Sequence, residues 1–235
     1  NYLYKNDLML LDFMASNDWT RAVYFTSLSD IKNVLGIDKY LHQEGLSHRF
    51  IPVVASDYHK DAGGVYIDGS YELLMADDIR WGNLNLPEVS VDPESRRNLL
   101  FVKQAYMRLA DALVNRNQND SAIAVLDRCQ EFFPDEKVPY DLYMMAYPEI
   151  YYRAGAMEKG DELINKIIDN STDNLRYFSE LDDRFIPYYS ESIRENLAII
   201  NEMSNVASKY KRTELANSLN NLLEQEFDKF LSVFN

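Results

Sequence analysis

From residue 93 to the end of the chain, apolar side chains return every three or four positions, the spacing of helices that bury one face. Before that point the pattern is mixed. Residues 6 to 15 carry Leu8, Leu11 and Met14 or Ala15 at helical spacing behind Asn6, a suitable N-cap. The runs 22 to 27 (AVYFTS) and 48 to 54 (HRFIPVV) are rich in β-branched and aromatic residues and predict strands. Between them GIDKYLHQEGL predicts a short helix closed by Gly45. A strand, helix and strand of this length would cross over right-handedly and pair in parallel, with Pro52 placing the second strand at an edge or ending it early. From 55 to 92 the periodicity lapses under Gly63, Gly64, Gly69, Gly82 and Pro87. One short helix is expected around 70 to 78. Trp81, costly to leave in water, is expected to anchor this connector at the junction of the parts on either side.

Within the helical part, residues 103 to 136 form the most regular stretch. Tyr106, Leu109 and Leu113 are large first-helix positions, with small Ala110 where a second helix must approach. After the polar turn NRNQND, Ala122 is the other close-approach position, followed by Leu126, Cys129 and Pro134, which closes the second helix. These are the positions of a tetratricopeptide-like repeat. A second hairpin is predicted from Tyr140 to Arg153 and from Asp161 to Asp169, with Gly160 in the role of Ala122 and Pro148 kinking its first helix. Residues 171 to 186 predict an irregular acidic connection. Helices from Pro187 to Tyr210 and from Thr213 to Phe234 are expected to cap the stack. The fold class is therefore mainly α: tetratricopeptide-like hairpins (an α-α superhelix) with a small N-terminal α/β segment. The expected divisions are 1–54, a connector over 55–92 packed on both halves, two hairpins over 93–170, and a capping pair over 171–235.

Charge narrows the partners. The chain has 38 acidic and 24 basic residues, a net charge of −14, and no basic cluster to escape that average. Phosphate backbones and anionic lipid surfaces would be repelled, so neither nucleic acid nor direct membrane insertion is expected. No run reaches the eighteen or so apolar residues that span a bilayer. The single cysteine excludes an internal disulfide and a Cys-rich zinc site. Because the sequence starts at Asn1, inside a structured segment, it is expected to be part of a longer protein.

Candidate chemistry is sparse. His42 and His48 stand six apart with no carboxylate at a zinc-site spacing, and read as surface histidines. Asp57, His59 and Asp61 would point the same way in an extended segment, but one strand rarely closes a coordination sphere. Acidic pairs such as Asp77-Asp78 and Asp182-Asp183 are expected by chance in so acidic a chain. Gly63-Gly64 lacks the context of a phosphate loop. Cys129 falls on a close-packing position and reads as a buried, inert thiol. No catalytic residue, metal or cofactor is expected. Tyrosines are the richer signal: Tyr140, Tyr143, Tyr147, Tyr151 and Tyr152 recur in the second hairpin, and Tyr188 and Tyr189 open a later helix. Most are expected in the core. Those exposed among Tyr140, Tyr143, Tyr147 and Tyr151 are the candidate partner-binding surface, for a peptide or a glycan.

The segments NDLMLLDFMASNDWTRAVYFTS, LGIDKYLHQEGLSHRFIPV, RWGNLNLPEVSVD and LDRCQEFFPDEKVPY together resemble the soluble C-terminal region of a family of multi-pass membrane proteins of unknown function from Bacteroidetes. That family is itself similar, in its membrane part, to protein O-mannosyltransferases. The resemblance covers residues 2 to 170. It implies a domain attached to a membrane protein, on the extracytoplasmic (periplasmic) face of the inner membrane. The catalytic residues of such enzymes resemble features of a membrane part that is absent here, so none is carried over. Two functions remain open: a non-catalytic interaction domain for a protein, a peptide or the parent membrane part, and a glycan- or acceptor-binding accessory domain.

Overall fold

The computed structural model describes residues 3–26, 36–54, 63–182 and 184–231. Asp57, His59 and Asp61 lie outside the described residues. The chain divides into two compact units, Asn1–Arg80 and Trp81–Asn235. The boundary falls inside the stretch expected to be a connector.

The first unit opens with α1 (Lys5–Ser16). It starts two residues earlier than the Asn6 cap predicts, with Tyr4 at the cap position and its backbone N–H donated to the Asp7 carboxylate. A four-stranded sheet follows, ordered β1-β3-β2-β4, from β1 (Tyr24–Phe25), β2 (Leu41–Glu44), β3 (Ser47–Phe50) and β4 (Gly64–Val65). The helix expected over GIDKYLHQEGL is instead a 3-10 turn at Asp38–Tyr40 leading into β2. Leu41 and Gln43 are buried while His42 and Glu44 are not, a period of two rather than 3.6. Gly45, at φ 63°, then supplies the first residue of a two-residue hairpin loop, where a positive φ is required. That loop makes β2 and β3 antiparallel. The 22–27 and 48–54 runs also pair antiparallel, as β1 and β3, not in parallel as expected. β3 ends at Phe50, before Pro52, and lies inside the sheet rather than at its edge. β4 adds in parallel to β2, and α2 (Ile67–Leu74) follows a few residues earlier than predicted.

The second unit is all helical: α3 (Pro93–Asn115), α4 (Asn119–Phe132), α5 (Ala146–Arg153), α6 (Met157–Ser179), α7 (Ser190–Lys209) and α8 (Thr213–Lys229). Asp92 caps α3 with hydrogen bonds to the Glu94 and Ser95 amides, and Pro93 occupies the first position that needs no N–H. The helix predicted from Tyr140 breaks into a 3-10 turn (Leu142–Met144) and α5. Pro148 therefore sits in the first turn of α5, where it need not kink anything. The acidic connection predicted from residue 171 is helix as far as Ser179, since Leu163, Ile167, Ser171, Leu175 and Phe178 continue one buried stripe. A 3-10 turn at Ile186–Tyr189 precedes α7, whose start had been expected at Pro187.

The three hairpins α3/α4, α5/α6 and α7/α8 share one turn. Asn117, Gly155 and Lys211 take left-handed φ values of 59°, 90° and 60°. The N–H of the next residue, Gln118, Ala156 or Arg212, reaches back to Leu113, Tyr151 or Ala207, each time at 2.9 Å. This satisfies a carbonyl left open at the helix end. Four residues into each second helix stand Ala122, Gly160 and Ala216, all buried. A Cβ on Gly160 would run into the Tyr152 ring.

Side-chain links fix how the hairpins stack. The Tyr147 hydroxyl meets the Lys103 carbonyl and Arg153 pairs with Asp111, so α3 and α5 run the same way. Lys159 pairs with Asp127, and Asn170 donates to Asp135, so α4 and α6 do likewise. Lys209 pairs with Glu149, and Arg212 with Asp161, continuing both layers into α7 and α8.

Candidate functional site

Three of the four candidate tyrosines are core, and cannot meet a partner while the unit is folded: Tyr140, Tyr147 and Tyr151 are at most 2% exposed. Their rings fill the space between α3, α4 and α5, and the hydroxyls of Tyr147 and Tyr151 find partners inside. Tyr147 donates to the Lys103 carbonyl at 2.7 Å, and its oxygen lies 3.2 Å from Cys129 Sγ. Tyr151 donates to Asp127 at 2.8 Å and accepts from Gln130 at 2.6 Å. Burial raises the pKa of all three phenols. Tyr152 is buried as well, over Gly160, and donates to Asp161. Tyr143 alone of the four is on the surface, 43% exposed.

The same core holds Lys103. Its ammonium donates to the Val138 carbonyl at 2.8 Å and lies 4.4 Å above the centre of the Tyr140 ring. Burial lowers its pKa to about 8. Cys129 is pushed up to about 11 by its burial, so it is a protonated packing thiol, not a nucleophile. Lys103, the most unusual group in the unit, was missed by the sequence reading. The signal for it was present: position 103 opens the apolar face that Tyr106 and Leu109 continue.

What α3 and the turn before α5 expose is apolar and aromatic. Phe101 on α3 is 66% exposed, and Leu142 and Tyr143 stand out from the 3-10 turn packed against that helix. Further along the same layer the surface becomes charged, where Arg153 binds both Asp111 and Asn115, and Lys209 and Tyr210 both reach Glu149. On the other layer, Asp127, Gln130, Glu131, Lys159, Glu162 and Lys166 line an open cleft of about 390 Å³ between α4 and α6. A second aromatic group lies at the end of α6. There Tyr177, Phe185 and Tyr188 are exposed, Tyr189 stacks on Phe178, and Arg184 bonds Asp182 through two nitrogens.

Two of the other described candidates, the histidines, are held apart. His42 and His48 lie on neighbouring strands, but His48 is opposite Gln43, so the alternation of side chains puts the two imidazoles on opposite faces of the sheet. His42 is tied to the Val53 carbonyl at 3.0 Å. Gly63 is needed for close approach, since a Cβ there would strike the Leu41 carbonyl. Among the described residues no group of three or more His, Cys, Asp or Glu is placed to hold a metal ion. Trp81 belongs to the helical unit and packs edge-on to Phe133, with ring centres 5.1 Å apart. Lys137 reinforces that start of the unit by donating to the Pro87 and Val89 carbonyls.

Residues 1–68 match the family model of TMEM260-associated domain 2. The matched stretch lies within the first unit. No curated protein and no solved structure matches the chain. Among the described residues no helix is long and apolar enough to cross a membrane.

Proposed function

We propose that the chain is a non-catalytic interaction module of a membrane-associated protein, built from tetratricopeptide-like repeats behind a small α/β unit. The observation that carries the repeat reading is the turn shared by α3/α4, α5/α6 and α7/α8, with a small buried residue four positions into every second helix. On this reading α7/α8 is a third repeat at the end of the stack. Tyrosine hydroxyls that would be reactive on a surface are spent inside the core, and what remains outside on α3 and the turn before α5 is Phe101, Leu142 and Tyr143, suited to a polypeptide. The match over residues 1–68 supports membrane association through the parent protein. An extracytoplasmic place beside a glycosyltransferase-like membrane part is the setting this reading favours. The test is site-specific photo-crosslinking in the full-length parent. A crosslinker at Phe101 or Tyr143 should yield a polypeptide adduct, including one within the parent chain, and a crosslinker at Glu162 should not. Turnover of a lipid-linked sugar by the isolated chain would overturn the reading.

One observation favours the second reading, a glycan- or acceptor-binding accessory domain. Tyr188 is 83% exposed beside Phe185, with the Asp182 carboxylate close in sequence, and flat aromatic faces next to carboxylates are a sugar-binding surface. Chemical-shift changes at Tyr188 on adding a mannose oligosaccharide, absent in Tyr188→Ala, would move the assignment to that reading.

A further inference from the structure

The sheet of the N-terminal unit has two faces of different character. Leu41 and Gln43 are buried on one, so the alternate residues of β2, His42 and Glu44, belong to the other. The register adds Tyr24 of β1 and Arg49 of β3 to that second face, since Tyr24 is opposite Arg49 and Arg49 is opposite His42. β3 lies between β1 and β2, yet the Tyr24 hydroxyl donates to Glu44 Oε2 at 2.8 Å. To cross two strand spacings of about 4.8 Å each, the Tyr24 side chain must lean over β3 instead of standing straight out. Tyr24 is 47% exposed there. A second ring meets the same carboxylate. Gly69 of α2 has no positive φ to require a glycine, but a Cβ at its position would lie within 3.2 Å of both the Tyr66 ring and Glu44 Oε1. Tyr66 is 39% exposed.

The polar groups of this face are only half used. Glu44 Oε2 takes the Tyr24 hydroxyl and faces Arg49 at 3.6 Å, an ion pair too long for a hydrogen bond. Arg49 therefore keeps its donors, with 38% of its side chain exposed. His42 gives its Nε2 proton to the Val53 carbonyl, which leaves Nδ1 as an acceptor. We infer that this face binds a neutral saccharide, with the C–H face of a pyranose on the Tyr24 ring and its hydroxyls shared between Glu44 and Arg49. A hydroxyl both donates and accepts, so adjacent hydroxyls satisfy a carboxylate and a guanidinium together. A pyranose also presents an apolar face of the kind an aromatic ring packs against. Charge excludes the simpler ligands. The Glu44–Arg49 pair is neutral, and a chain of net charge −14 disfavours an anion at a lone arginine. A cation would find the carboxylate already shared by Tyr24 and Arg49. The site lies in the N-terminal unit and depends on neither the polypeptide surface at Phe101 and Tyr143 nor the aromatic group at Tyr188.

The test is an NMR titration of the full chain carrying ring-labelled tyrosine. The probes are three neutral disaccharides, mannobiose, cellobiose and lactose, with inorganic phosphate as the anionic control. At least one disaccharide should shift the Tyr24 and Tyr66 ring resonances saturably and leave Tyr188 in place, and phosphate should shift neither. These wild-type shifts do not depend on any variant folding. Glu44→Gln and Arg49→Met should each keep the circular dichroism spectrum and weaken binding by about tenfold or more, the loss of a hydrogen bond to a charged group. Tyr24→Phe, which keeps the ring, should retain most of the affinity, and Tyr24→Ala should lose it. Absence of a saturable shift with all three disaccharides, equal affinity in Glu44→Gln and Arg49→Met, or saturable competition by phosphate overturns the site. A disaccharide that shifts Tyr188 and not Tyr24 also overturns it, while supporting the glycan surface of the helical unit.

Discussion

The helical unit closes a cluster of its largest side chains away from water, and the first helix of the N-terminal unit leaves most of its large apolar ones in it. Tyr106, Tyr140, Tyr147, Tyr151 and Phe133 are closed off from water between α3, α4 and α5, whereas α1 leaves Leu8, Met9, Leu11 and Phe13 exposed. The described apolar cluster of the sheet is small, Ile37 and Leu41 with Leu10, Phe25 and Phe50 packed against them. A helical hairpin repeated three times buries each new face on the last one, so the core grows with every repeat. Two-residue and four-residue strands cannot do that, and so small a unit gains little from its own interior.

The largest test of this contrast is Tyr147→Ala. It removes a fully buried ring and also strands the Lys103 carbonyl, so a loss of about 3–5 kcal/mol is expected in the helical unit's unfolding transition. Tyr143→Ala, at the exposed neighbour, should stay within about 0.5 kcal/mol. Urea unfolding of the two variants measures both, and similar midpoints would mean the tyrosine core is not what holds the unit together.

Lys103 sharpens the same contrast through pH. Its pKa is about 8 in the folded unit against 10.5 unfolded. Below pH 8 both states are charged and the cost of burying the charge is felt in full. Between about pH 8 and 10.5 the unfolded chain holds a proton that the folded one has released, so stability rises with pH, by up to about 3 kcal/mol. Tyr106 works in the opposite sense, raised from 10 to about 12 by burial, so stability falls as pH passes 10. Thermal melts should therefore rise from about pH 8 to a peak near pH 10, and Lys103→Met should abolish the rise. A flat profile in the wild type would mean water reaches this lysine.

Much of the helical unit was legible because helical spacing reports burial directly. Ala110, Ala122, Leu126 and Cys129 are all fully buried, as their pattern implies. What failed had local causes. Pro148 was read as a kink because the break at Met145 that makes it a first-turn residue carries no glycine or proline. Residues 171 to 179 were read as loop on their polar content, although Leu175 and Phe178 kept the period. In the sheet unit the run LHQE is too short to separate a period of two from one of 3.6, and the Gly45 hairpin went unseen because Gly-Leu is a weak turn signal. The candidate surface was least legible of all: composition names tyrosines, and only packing decides that Tyr143 faces water while Tyr147 does not.

The close crossings give a smaller effect. Ala122→Leu should overpack the α3/α4 approach and cost about 1–3 kcal/mol. Gly160→Ala should cost a comparable amount, because its Cβ meets the Tyr152 ring. Gln118→Ala should be neutral, since Gln118 makes no side-chain cap. Equal melting temperatures for Ala122→Leu and Gln118→Ala would remove the repeat assignment.

The smallest expected effect lies in the N-terminal unit. Leu8 and Met9 are 54% and 64% exposed on α1, so replacing both by Gln removes little burial and should shift stability by no more than about 0.5 kcal/mol. In contrast, Leu41→Ala, at a fully buried strand residue of the same unit, should cost about 2–5 kcal/mol. If the exposed face of α1 is only surface, Leu8→Gln with Met9→Gln should also leave sedimentation and solubility unchanged at every concentration. If it is a face that associates, the same pair should raise solubility or abolish a concentration-dependent species while the melting temperature holds. A fall in melting temperature comparable to that of Leu41→Ala would show that α1 packs more deeply than its exposure implies, and the contrast between the two units would narrow to one of size alone.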